Sequence, residues 1–139
     1  PLANYLPYQI FNNTIYISGQ APVDEGEIKY KGKIGDNLSI EDGIRAAKLC
    51  CLNILSIIRH SCDHNWDNLI KVIKIGGFVN CTTDFKDHPI IINGASNLLI
   101  EVLGEKGKHS RFAVGSNSLP FNMAVEIEAI VSIKTNDNK

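Results

Sequence analysis

The sequence predicts an α/β fold of the α+β kind, a single sheet carrying two helices on one face. Three observations predict it. Strand-like and helix-like segments follow one another as β-β-α-β-α-β-β, and strands gathered around two helices pack as one sheet with the helices along one side. The 139 residues make one domain, 1–139, in which roughly 70% of the unfolded chain's surface can be buried without staples. Too little chain is left to cover the sheet's second face. Another copy of the same sheet is the natural cover, so an oligomer is expected.

Each element has its own signal. Tyr8 to Phe11 and the β-branched and aromatic run Thr14-Ile15-Tyr16-Ile17 pair across a tight Asn12-Asn13 turn. Gly19 and Pro22 break the second strand. Asp24 to Asn37 is polar and punctuated by glycine, a loop with a small hairpin around Ile28. Ser39 with Asp42 three residues on is a capping box. Ile44, Ala47, Cys51, Leu55 and Ile58 follow at helical spacing, and Cys50, Ile54 and Ile57 widen the stripe. This predicts a helix to about Ser61, buried on more than one side.

Leu69 to Cys81 is a long strand, with Gly76-Gly77 as a bulge or a point of close approach. Asp87-His88-Pro89 opens a second helix, Asp as its cap and Pro in its first turn. Ile91, Ala95, Leu98 and Val102 form its apolar stripe, and Gly104 and Gly107 end it. Arg111 to Gly115 is a short strand, Ser116 to Asn122 a connection, and Ala124 to Ile133 the last strand, expected to be central. Thr135 to Lys139 is a frayed polar tail.

Composition narrows the function. Hydrophobic residues at 44% exclude disorder as the main state. A net charge of −1 does not suit a protein living on nucleic-acid phosphate, which would be basic. Cys50, Cys51, Cys62 and Cys81 form no CxxC pair and read as reduced, mostly buried thiols in a reducing compartment, which makes the cytoplasm the expected location. No apolar run approaches the 18 residues of a membrane span. The start, Pro1 to Tyr5, has neither the basic region nor the apolar core of a signal peptide. It also lacks an initiator Met, so a removed targeting segment stays open. Pro1 as a catalytic N-terminal amine, as in tautomerases, competes with the simpler reading of a trimmed chain.

Two charged residues stand out in apolar strands. On the last strand Val125, Ile127, Ala129, Val131 and Ile133 share one face, while Glu126 and Glu128 share the other with Ala124, Ile130 and Ser132. Two carboxylates cannot both pack against helices without heavy cost, so that face meets water, a partner's cations or a ligand. Arg111 has Ala113 and Gly115 as its same-face neighbours. A guanidinium over small residues suits a carboxylate pocket, because its fork can hold both oxygens; the alternative is a surface arginine at a strand end. As a pocket arginine it is expected to have no compulsory partner in the free state.

Other features are weaker. His60 and His64 have the i, i+4 spacing of a metal pair without an evident third ligand, so a solvated helix end is expected and no metal. Lys106 to Arg111 is basic without interleaved aromatics, a weak anion-attracting patch. No phosphate-loop, dinucleotide or nucleophile-elbow motif is present.

Taken together, several stretches resemble the RidA family, also called YjgF/YER057c/UK114. They are Ile15 to Pro22, Phe78-Val79 through Asp84-Phe85, Ile92-Asn93-Gly94-Ala95, Ser110-Arg111-Phe112-Ala113-Val114, Ser118-Leu119-Pro120 and Val125 to Ile130. The resemblance covers nearly the whole chain in order. It implies a chorismate-mutase-like fold assembled as a homotrimer, with sites in clefts between subunits. It implies hydrolysis of reactive 2-imino or enamine acids to 2-keto acids and ammonia, without a cofactor. By position, Arg111 matches the arginine that binds the substrate carboxylate and Glu126 the glutamate that positions the attacking water. Tyr5, Ser18, Gly19 and Asn93 match other pocket positions.

The chain departs from the archetype at Ala113, where a cysteine is common, in the loop Asp24 to Asn37 with the helix after it, and in Asn93 to Leu99. These mark a divergent branch. Three functions follow as expectations: a metal-free imine deaminase; a non-enzymatic trimer that binds small carboxylates; and a single-stranded-RNA endoribonuclease of the L-PSP type, for which the chain offers no basic face and no aromatic platform.

Overall fold

A computed structural model describes residues 4–134. Pro1 and the tail from Thr135 to Lys139 lie outside the described residues.

Seven strands and two helices follow in the expected order. Strands β1 (Tyr8–Phe11) and β2 (Thr14–Gln20) form a hairpin turning at Asn12, which takes the left-handed φ of 56° that a two-residue hairpin loop demands. The small hairpin near Ile28 is present as β3 (Val23–Asp24) and β4 (Glu27–Ile28). Helix α1 (Ile40–Ser61) leads to β5 (Leu69–Asn80), and helix α2 (His88–Leu103) crosses over to β6 (Ser110–Ser116). Strand β7 (Val125–Ile133) completes a five-stranded sheet in the order β1-β2-β7-β5-β6. The last strand is therefore central. It runs antiparallel to β2 and β5, while β5 and β6 are parallel, as a helical crossover requires.

The capping box at the start of α1 closes as expected. Asp42 N–H donates to Ser39 Oγ at 3.1 Å, and Ser39 N–H to Asp42 Oδ2 at 2.9 Å. These bonds hold the Asp42 carboxyl below its usual range. Buried α1 residues include Ala46, Ala47, Cys50, Cys51, Ile54 and Ile58. The adjacent thiols diverge: Cys50 donates toward Val125 O on the sheet and Cys51 toward Ala95 O on α2. Burial pushes the Cys51 thiol up to about 12 and Cys50 well above its usual value. All four cysteines are buried and unbonded to one another.

Two local expectations are corrected, and of the two readings of Gly76-Gly77 one holds. Asp87 precedes α2 but makes no side-chain cap, because its φ/ψ of −101°/34° lies outside the extended region from which a cap reaches back. The buried stripe of α2 passes through Ile91, Ile92, Ala95 and Leu99, leaving Val102 half exposed. The irregularities of β5 fall at Ile70 and Ile73, while Gly76 and Gly77 stay in register with Glu128 and Ile127. The glycines are points of close approach, the second of the two expected readings. A Cβ on Gly76 would overlap the Phe112 ring, and one on Gly77 would come within 2.6 Å of Ile92 Cδ1 on α2.

Those contacts define the two sides of the sheet. Ile75, Gly77, Arg111 and Ala113 look toward the helices; Gly76, Phe78, Phe112, Glu126 and Glu128 look away. The core lies under the helices, with Ile15, Val72, Ile75, Ile127 and Val131 fully buried. The helix-free side carries the edge-to-face pair Phe78–Phe112, centroids 5.3 Å apart, beside exposed Tyr16 and Val114. Among the described residues no helix is long and apolar enough to cross a membrane.

Candidate functional site

Glu126 opens into a cavity of about 930 Å³ at one end of the helix-free side, lined among others by Tyr5, Gly19, Lys31, Phe121 and Met123. Local structure explains each wall. Strand β2 loses its regular register between Ile17 and Gln20, so Gly19 comes up against Glu126, and a Cβ there would overlap Glu126 Oε2. Ser18 stands behind this wall. Its hydroxyl donates to Leu6 O at 2.7 Å and its N–H to Pro7 O at 3.0 Å, which ties down the segment carrying Tyr5.

The opposite wall is the turn Pro120–Asn122, where Phe121 and Asn122 both take left-handed φ near 57° and 58°. Asn80, fully buried, ties this wall to the segment paired beside it. Its Nδ2 donates to Gly32 O at 3.1 Å and Met123 O at 3.2 Å, next to the bridge between Lys31 and Met123. Burial pushes the Glu126 carboxyl up, and the charge of Glu128 adds to the shift. A half-buried carboxylate with a raised pKa, facing a cavity, is a group able to take and return a proton.

Arg111 lies elsewhere. It stands on the edge strand β6 beside Ile75 and turns toward α2, on the helix side. Nη1 donates to Ser96 Oγ at 3.0 Å and Nη2 to Pro89 O at 3.3 Å. The expectation of an unpartnered guanidinium is corrected: helix α2 packs over the strand and supplies acceptors that strand periodicity cannot show. Ser96 Oγ also meets His109 Nε2 at 2.8 Å, and His109 Nδ1 meets Gly107 O at 2.6 Å. Asn93 is exposed on the same stripe of α2, at i+4 from Pro89 and i−3 from Ser96. The small floor is present, since Ala113 and Gly115 share Arg111's side, and Cys81 Sγ and His88 Nε2, 3.4 Å apart, sit over Gly115.

Within one chain, then, Tyr5, Gly19 and Glu126 are brought together, with Ser18 supporting them. Arg111 and the Asn93 stripe form a second group on the opposite side. The basic patch before Arg111 is partly neutralised, as Lys108 pairs with Glu105 at 2.8 Å. His60 and His64 meet edge to face with centroids 5.9 Å apart. Sequence reasoning missed Asn80, Ser96 and His109. A polar residue at the end of an apolar strand marks Asn80; nothing local marks the pairing of Ser96 with His109.

Comparisons with known proteins agree with this architecture. The family described as "YjgF/chorismate mutase-like, putative endoribonuclease" matches residues 1–131. The chain is 34% identical over 134 residues to Protein TCP17 of Trypanosoma cruzi, covering 96% of this chain and 83% of that one. The crystal structure of Atu1372 from Agrobacterium tumefaciens, a protein of unknown function, aligns at 45% identity with a TM-score of 0.92, over 95% of this chain and 83% of that chain. RidA from an Antarctic Psychrobacter aligns at 25% identity with a TM-score of 0.65, over 96% and 91%. The backbone thus follows Atu1372 more closely than it follows that RidA.

Proposed function

The chain belongs to the YjgF/chorismate-mutase-like family, and from that premise we propose that it hydrolyses 2-imino or enamine acids to 2-keto acids and ammonia. The observation that carries this is the half-buried Glu126 facing a cavity, together with a separate, pre-held arginine able to grip a carboxylate.

The chemistry needs little more. Arg111 takes the planar carboxylate of the imino acid with two parallel hydrogen bonds. Glu126 holds a water against the imine carbon and accepts its proton as the C–O bond forms. The proton passes to the nitrogen to give a carbinolamine; its hydroxyl then gives up its own proton, which Glu126 relays to the nitrogen, ammonia leaves as the C–N bond breaks, and the carbonyl remains. Imine plus water gives keto acid plus ammonia, with no redox change and no cofactor. Burial of Glu126 favours the protonated form it must adopt midway.

Two groups on opposite sides of one sheet act together when copies assemble. The β6–α2 edge of one copy meeting the Glu126 cavity of the next is a contact between two different patches. Such a contact repeats head to tail, and closes as a ring when the rotation between copies is a whole fraction of a turn. We propose a homotrimer, the ring that the family resemblance implies. The apolar helix-free side, with Phe78, Phe112, Val114 and Tyr16, supports burial against neighbouring copies.

Ammonia release from an imino acid generated in situ tests the activity. Rapid release above the buffer rate supports the proposal. Tight keto-acid binding without release favours a carboxylate-binding trimer, and cleavage of single-stranded RNA by the pure protein favours an endoribonuclease.

A further inference from the structure

We propose that Ser96 and His109 are positioning residues that set the guanidinium of Arg111 before any ligand arrives. The order of protons along this chain of groups follows from what each can do. Gly107 O can only accept, so His109 Nδ1 carries the hydrogen that meets it at 2.6 Å. In the neutral ring Nε2 is then an acceptor, and the Ser96 hydroxyl donates to it at 2.8 Å. Having spent its hydrogen there, Ser96 Oγ presents lone pairs to Arg111 Nη1 at 3.0 Å. Pro89 O fixes Nη2 at 3.3 Å.

Four parts of the fold contribute: the turn at Gly107, His109 just before β6, and Pro89 and Ser96 on α2, with Arg111 itself on β6. Ser96 is only 8% exposed, so water competes poorly for its oxygen. The guanidinium has five N–H donors and these contacts engage two, which leaves three. A carboxylate gripped with two parallel bonds needs only two. Binding therefore does not require Arg111 to let go of α2, nor to leave an ion pair, since none of the ion pairs among the described residues includes it. An arginine already held in place loses less side-chain freedom on binding, which strengthens the complex through preorganisation.

The catalytic meaning of this arrangement rests on the imine-hydrolase reading; the arrangement itself does not. Nitrogen-detected NMR on the full-length, ligand-free protein separates the two. The wild type is expected to show His109 as the Nδ1–H tautomer and Arg111 with slow rotation about its Nε–Cζ bond. Ser96→Ala should free that rotation while the amide spectrum stays folded, and Ser96→Thr, which keeps the hydroxyl, should restore it. Pyruvate, used as a carboxylate probe in calorimetry, should bind Ser96→Ala about three- to tenfold more weakly than wild type or Ser96→Thr. An Nε2–H tautomer in the wild type, or equal Arg111 mobility in wild type and Ser96→Ala, overturns the proposal. Absence of ammonia release with the NMR signatures intact removes the imine-hydrolase reading alone.

Discussion

Arg111 and Glu126 stand on opposite sides of the same sheet, Arg111 on its outer strand and Glu126 on its central one. Arg111 is bonded to α2 on the helix side, and Glu126 faces the cavity at the helix-free side. Strand β5 lies between their two strands, so the two side chains of one chain do not meet. This arrangement shapes each expectation below.

Arg111→Lys is expected to lower imine hydrolysis on the order of a hundredfold, because lysine keeps the charge but loses the fork that orients the substrate. It should also cost about 1 kcal/mol of stability, since the bonds to Ser96 Oγ and Pro89 O are lost from a partly buried place. Steady-state ammonia release and urea melts measure the two effects separately.

Glu126→Gln should lower turnover while leaving pyruvate binding within about twofold, as the water loses its acceptor but the carboxylate clamp is untouched. Stability should move the other way. The folded-state pKa of Glu126 is raised, so its favourable share is present below the unfolded value near 4.5 and is lost as pH rises through the folded value. Glutamine avoids that loss. The variant should melt higher than wild type at neutral pH, and the gain should fade as pH falls toward 4.5. A gain that persists unchanged at acid pH would contradict burial as the cause.

Gly19→Ala tests the close approach at the cavity wall. A methyl there overlaps Glu126 Oε2, the movable end of a side chain, so the fold should yield by shifting the carboxylate. Turnover is expected to fall about tenfold or more with a melting temperature near that of wild type. Unchanged turnover would mean that the position of Glu126 does not limit the reaction.

Ser39→Ala removes one half of the capping box and should cost about 1 kcal/mol without changing kcat, because Ser39 and Asp42 bond to each other and to neither Arg111 nor Glu126. Equilibrium urea unfolding checks it.

The sequence made some of this legible for a simple reason: periods are local. Alternation along Val125 to Ile133 separates Glu126 from the core residues, and Ser39 with Asp42 announces the start of α1. The same alternation groups Arg111 with Ala113 and Gly115 but does not say which side the helices occupy. Only the parallel pairing of β5 with β6 does, and it puts Arg111 under α2. The bulges at Ile70 and Ile73 carry no glycine to betray them. His109 earns its place through Gly107 O and through Ser96, thirteen positions earlier in the chain, a contact that no spacing rule encodes. Asn80 joins Gly32 to Met123 in the same non-local way.

Subunit complementation tests the central claim most directly. Arg111→Lys and Glu126→Gln chains are coexpressed in equal amounts, and the mixed assembly is purified and assayed for ammonia release. If each site takes Arg111 from one copy and Glu126 from the next, random mixing leaves about a quarter of the sites with both native residues. Activity should then recover to about a quarter of wild type, well above either variant alone. Mixed assemblies as inactive as the single variants, or a protein that remains monomeric in light scattering, would contradict a site built between copies.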